Sequence, residues 1–140
     1  MIKGHNEQQE LIKKLLLQKN FPNSLILSGP QGIGKSIIAK NICLALQKKI
    51  TINDITNKYN LIDLNENIFL VKKIYLDDKK KYKQKVYRED INYINDFFST
   101  KNDSDIKKIC LIDSIDDLSE DAKNSLLKII EEPNKNNHFI

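Results

Sequence analysis

Gly29-Pro30-Gln31-Gly32-Ile33-Gly34-Lys35-Ser36 decides how this chain is read. The stretch fits the pattern G-x-x-x-x-G-K-[ST] at every position. Three of the four glycines in the chain fall inside it. Glycines at those places let the backbone curl until successive N–H groups point inward at phosphate oxygens. The start of a helix behind the loop adds partial positive charge. Lys35 has the reach for β- and γ-phosphates, and the Ser36 hydroxyl is suited to Mg²⁺. All eight residues are therefore candidate nucleotide-binding positions, with ATP or ADP and Mg²⁺ as the expected ligands. A bare glycine-rich turn is the alternative, and the flanks argue against it.

On the N-terminal side, Leu25-Ile26-Leu27 is an apolar run, and residues 24–28 are expected to form the first strand. On the C-terminal side, Ile37, Ile38, Ile42, Leu44, Ala45 and Leu46 recur at helical spacing up to Lys48-Lys49. Strand, loop and helix in that order are the setting a phosphate-binding loop requires. Further upstream, Asn6 is expected to cap a helix over residues 7–19 with Leu11, Ile12, Leu15 and Leu16 on one face. Asn20-Phe21-Pro22-Asn23 breaks it.

Downstream, residues 51–64 are ambiguous, with a short helix expected to start at Asn53 or Asp54. Asn67-Ile68-Phe69-Leu70-Val71 reads as a buried strand running on toward Ile74-Tyr75-Leu76. From Lys72 to Arg88 there are eight basic residues and two acidic ones. A solvated hairpin tip is the favoured reading of that excursion, and a nucleic-acid contact the alternative. A helix is expected over residues 89–98, with Ile91, Ile94, Phe97 and Phe98 apolar. Residues 99–105 read as a polar loop. Lys107-Lys108-Ile109-Cys110-Leu111-Ile112-Asp113 is a strand ending in a carboxylate. Ser119 is expected to cap the next helix, with Leu126, Leu127, Ile129 and Ile130 buried and Pro133 ending it. His138-Phe139-Ile140 opens another apolar run. The chain stops inside that run, and so reads as a fragment with no second domain. Strands alternating with helices predict an α/β fold with a parallel sheet.

The 140 residues suffice for a single core, and 40% hydrophobic with 30% charged residues reads as soluble and globular. No apolar run approaches the roughly 20 residues of a membrane span. The first six residues lack a signal-peptide core, so a cytoplasmic location is expected. Cys43 and Cys110 sit in apolar patterns and are expected to be two buried thiols. The net charge of +4 is carried almost wholly by lysine, since Arg88 is the one arginine. Diffuse lysine is a poor specificity signal for nucleic acid.

An apolar strand closing on Asp113 downstream of an intact phosphate loop has the form of a second nucleotide motif. Its carboxylate would hold hydrated Mg²⁺ beside the Ser36 ligand. The next residue is Ser114, and a serine hydroxyl is no base near neutral pH unless something activates it. Asp116 and Asp117 lie too far along the loop to take its place. No catalytic residue is assigned.

Residues 29–36, then Leu111-Ile112-Asp113-Ser114-Ile115-Asp116-Asp117-Leu118, then Asn124-Ser125-Leu126-Leu127-Lys128-Ile129-Ile130-Glu131-Glu132-Pro133 together resemble the AAA+ subunits of bacterial DNA polymerase III clamp loaders. Gly4-His5 and Asn23-Ser24 also fit. The resemblance covers nearly the whole chain, most weakly over residues 51–88. Motor subunits of the gamma/tau kind usually carry Asp-Glu where this chain has Asp113-Ser114. The delta-prime type commonly carries a small residue there, and is the type this chain is most similar to. The resemblance implies a hetero-oligomeric loader that places the sliding clamp on primed DNA, with this subunit a stator of weak or no hydrolysis. Many members hold a four-cysteine zinc module between the two motifs. Only Cys43 lies between residues 37 and 109 here, so no zinc is expected. Some delta-prime proteins have a degraded phosphate loop, and this chain does not. An active gamma/tau-like ATPase is the first alternative. A P-loop small-molecule kinase is a further one, poorly served by a single arginine. The resemblance also implies a strand order in which the run from His138 inserts between the strand before the loop and the strand ending at Ile112. With that central strand cut after three residues, residues 1–140 alone are expected not to form a stable domain.

Overall fold

The computed structural model describes residues 4–55, 66–100, 106–132 and 134–140. Four 12-residue helices are described: α1 (Asn6–Leu17), α2 (Lys35–Leu46), α3 (Arg88–Ser99) and α4 (Glu120–Glu131). Strands β1 (Ile68–Val71), β4 (Lys108–Ile112) and β5 (Asn137–Phe139) form a sheet in the order β1-β4-β5, parallel throughout. Between β1 and α3, strands β2 (Tyr75–Leu76) and β3 (Lys81–Tyr82) make a small antiparallel hairpin. Its strand residues are largely exposed.

β4 shows why the sheet is central. Ile109 and Leu111 face a core with Ile12, Ile38, Ile42, Cys43 and Ile55, under α1 and α2. Cys110 faces the opposite core with Val71, Ile91, Ile94, Leu118, Leu126 and Phe139, under α3 and α4. An uninterrupted apolar run is what a strand covered on both faces must be. The result is three layers, with helix pairs on either side of the sheet.

β5 lies where the resemblance put it. Phe139 pairs with Cys110 of β4 on one side and bridges in parallel to Ser24 on the other. Two bonds make the second edge: Phe139 N–H donates to Asn23 O at 2.7 Å, and Leu25 N–H donates to Phe139 O at 2.9 Å. The strand expected over residues 24–28 is thus paired only at its start. Past Leu25 no further rung is described, and Ile26 is 73% exposed.

Other expectations need correction. The α1 N-cap is His5 in the left-handed region (φ 56°), with no side-chain cap, so Asn6 is the first helical residue and not the cap. Gln9 Nε2 reaches back to Gly4 O at 2.5 Å instead. Leu11 is 59% exposed and Leu127 53% exposed, because in each case the neighbouring apolar positions already fill the covered face. Ser119 does cap α4, its Oγ accepting from the Ala122 N–H at 3.2 Å. Residues 52–54 form one 3₁₀ turn. The rest of the ambiguous stretch to residue 64, the loop residues 101–105 and Pro133 lie outside the described residues. Both cysteines are buried and free. Burial pushes the Cys43 thiol up to about 12 and the Cys110 thiol up as well.

Candidate functional site

The loop at residues 29–36 has the backbone its glycines foretell. Gly29, Gly32 and Gly34 take φ of 147°, 87° and 96°, a region L side chains rarely enter. At Gly29 a Cβ would also come within 2.7 Å of Ile33 Cδ1. Gly34 is the N-cap of α2, its carbonyl accepting from the N–H groups of Ile37 and Ile38, both at 3.1 Å. The first N–H groups of a helix have no intrahelical acceptor. Those of Lys35 and Ser36 are therefore the natural donors to an anion at this end.

Lys35 folds over its own loop. Its Nζ donates to Gly29 O and Pro30 O, both at 2.7 Å. An ammonium has three donors, so one remains for a further acceptor above the loop. The sequence gives no hint of this arrangement, since any lysine at this position satisfies the motif.

Asp113 follows the last residue of β4 and is exposed. Its N–H donates to Val71 O at 3.0 Å, which continues the β1–β4 ladder one residue past the strand. The loop and Asp113 both leave the C-terminal edge of the parallel sheet, where ligands of such sheets collect. β5 separates their strands, so the two backbones are about 10 Å apart, two strand spacings. Among the described residues no direct hydrogen bond joins Ser36 to Asp113. A hydroxyl and a carboxylate are the hard oxygen donors that Mg²⁺ favours while it keeps several waters. With the glycine-lined loop and the helix start, these residues fit a magnesium–nucleotide complex.

Neighbouring carboxylates are differently employed. Ser114 precedes a 3₁₀ turn over Ile115–Asp117. Asp117 Oδ1 pairs with Lys73 Nζ at 2.7 Å. Asp116 is exposed on the turn. Asn23, two residues before Leu25, ties the approach to the loop onto β5: its Nδ2 donates to Asn134 O at 3.1 Å and Asn137 O at 3.0 Å. Lys73 does not stand out in the sequence, and Asn23 stands out there only as a helix breaker and as part of the resemblance, not for this contact. Arg88, basic and close in sequence to the hairpin, begins α3 and is far along the chain from the loop.

The chain is a parallel α/β sheet with helices on both faces, a glycine-rich loop ahead of α2 and a carboxylate just past the end of β4. The same fold occurs in the crystal structure of a DNA polymerase III gamma subunit-related protein from Thermotoga maritima, with a TM-score of 0.58 and 16% identity. That match covers 94% of this chain and 38% of the other, so the chain spans well under half of that protein's length. The chain belongs to the family described as DNA polymerase III, delta subunit, whose profile matches residues 4–140. A search among curated proteins finds no match. Among the described residues no helix is long and apolar enough to cross a membrane.

Proposed function

We propose that this chain is the nucleotide-binding portion of a delta-prime-like clamp-loader subunit, a stator and not a motor. It would bind ATP or ADP with Mg²⁺ at residues 29–36, Ser36 and Asp113 holding the ion. In the cytoplasm it would work beside the other loader subunits as they place the sliding clamp on primed DNA. The observation that carries the reading is Asp113-Ser114 at the end of β4 beside an intact loop. The bound Mg²⁺ would neutralise phosphate charge. Lys35 and the first N–H groups of α2 would hold the phosphates. Among the described residues, the position after Asp113 offers no general base for the attacking water. Ser114 has no carboxylate, and Asp117 is engaged by Lys73.

Calorimetry with ATP on the full-length subunit tests the proposal. Lys35→Ala should weaken binding by about 1.5–3 kcal/mol, the worth of a charge-assisted bond. Turnover should stay near background. Rapid hydrolysis by the isolated subunit, abolished by Lys35→Ala, would refute the stator role and favour a gamma/tau-like motor. Absence of any nucleotide binding would refute the ligand.

A further inference from the structure

The turn after Asp113 is held at both ends by one neighbouring segment. At its start, the Asp113 N–H donates to Val71 O at 3.0 Å. At its far end, Asp117 Oδ1 pairs with Lys73 Nζ at 2.7 Å. Val71 and Lys73 are two residues apart on the chain leaving β1. Between these ties lies the 3₁₀ turn, with Ile115 43% exposed. The main chain closes a third side. Val86 N–H donates to Asp117 O at 2.8 Å and Ser119 N–H donates to Val86 O at 2.9 Å, over the buried side chains of Val86 and Leu118. The Asp113 carboxylate itself has no hydrogen bond or ion pair among the described residues. The backbone therefore sets where its Cα–Cβ bond points, and the ties fix that backbone.

We propose that Lys73 and Asp117 are positioning residues for Asp113. Their pair fixes where the carboxylate stands relative to Ser36, and with it the Mg²⁺-dependent part of nucleotide affinity. The inference rests on the reading of residues 29–36 as a nucleotide site. The two side chains are about a third exposed, at 34% and 32%, so the effect is that of a partly solvated ion pair.

The experiment compares ATP binding by the full-length protein with Mg²⁺ and with EDTA, for wild type, Lys73→Met, Asp117→Asn and the swapped pair Lys73→Asp/Asp117→Lys. Each single variant should bind Mg²⁺–ATP roughly three- to fivefold more weakly. Affinity in EDTA should be unchanged, and the swap should recover part of the loss. Amide exchange at Asp113 and Leu118 should speed up in the single variants. Equal weakening with and without Mg²⁺ marks a general structural effect and overturns the positioning role. Unchanged affinity in both conditions overturns it too. Both results leave the nucleotide site standing. A wild-type protein that binds ATP under neither condition overturns the nucleotide reading, and this inference with it.

Discussion

Replacing Lys108 with methionine should cost more stability than a lysine usually does. Lys108 lies in β4 and is only 4% exposed. Its Nζ donates to Phe97 O at 2.6 Å, to Thr100 Oγ1 at 2.5 Å and to Thr100 O. Three ammonium donors thus meet three acceptors. The acceptors cluster at the C-terminal end of α3, where carbonyls lack intrahelical partners and carry partial negative charge. The same ammonium stands 5.4 Å from the centroid of the Phe97 ring. Burial lowers the lysine's pKa, while the acceptors favour keeping the proton. Methionine preserves most of the stem's packing and removes the head, so the loss isolates the polar contacts. One bond to a charged group is worth about 1.5–3 kcal/mol, and bonds sharing one donor do not add. A loss of about 2–3 kcal/mol follows. With an unfolding entropy near 2.1 cal/mol/K per residue, that lowers the Tm of a chain this size by roughly 7–10 °C. Thermal and denaturant melts of the purified protein, with Lys108→Arg and Thr100→Val as companions, provide the measurement. Lys108→Met melting within about 1 °C of wild type would show that the helix end is satisfied by water and that the reasoning is wrong.

Two further outcomes follow from buried groups. His138 is 2% exposed, donates from Nδ1 to Pro22 O at 3.0 Å, and among the described residues has no partner for Nε2. Burial, the largest cause, depresses its pKa, so the neutral ring is the folded form. Its share of stability is complete above the ordinary value near 6.5 and is lost as pH falls through the folded pKa, because the unfolded chain takes the proton first. Tm should therefore drop more steeply between pH 7 and pH 5 for wild type than for His138→Phe, and parallel curves would refute the assignment. Cys43 and Cys110, both fully buried with raised pKa, should resist a thiol reagent at pH 8 until denaturant is added. Rapid labelling of either in the native protein would contradict the described core.

Much of this architecture was legible because single residues carried it. The loop glycines demanded positive φ, and each of the three has it. The unbroken apolar run of β4 demanded cover on both faces, and α2 and α3 lie on opposite sides of it. Ser119 announced the start of α4. The errors have physical causes too. Periodicity marks a helix face but does not say how wide a stripe its neighbours cover, hence exposed Leu11 and Leu127. Capping propensity at Asn6 yielded to His5 in a left-handed turn. At the site, the motif named the residues but could not show Lys35 bound to its own loop, or Asp117 tied to Lys73. Those contacts join segments that only the tertiary fold brings together.

The place of β5 in the sheet also bears on how the chain comes to fold. Asn23 at the approach to the phosphate loop and Asn137 at the head of β5 are hydrogen-bonded across 114 positions of sequence. Among the described residues Phe139 supplies the backbone partners of Asn23 and Leu25. During synthesis the loop and α2 leave the ribosome early, yet the strand edge that pairs with residues 23–25 does not exist until β5 has emerged. Closing so long a span before any contact rewards it makes for slow folding and prolonged exposure of an unpaired edge. Nascent chains arrested short of Asn137 should therefore leave the loop open to protease, and chains carried well past Phe139 should protect it.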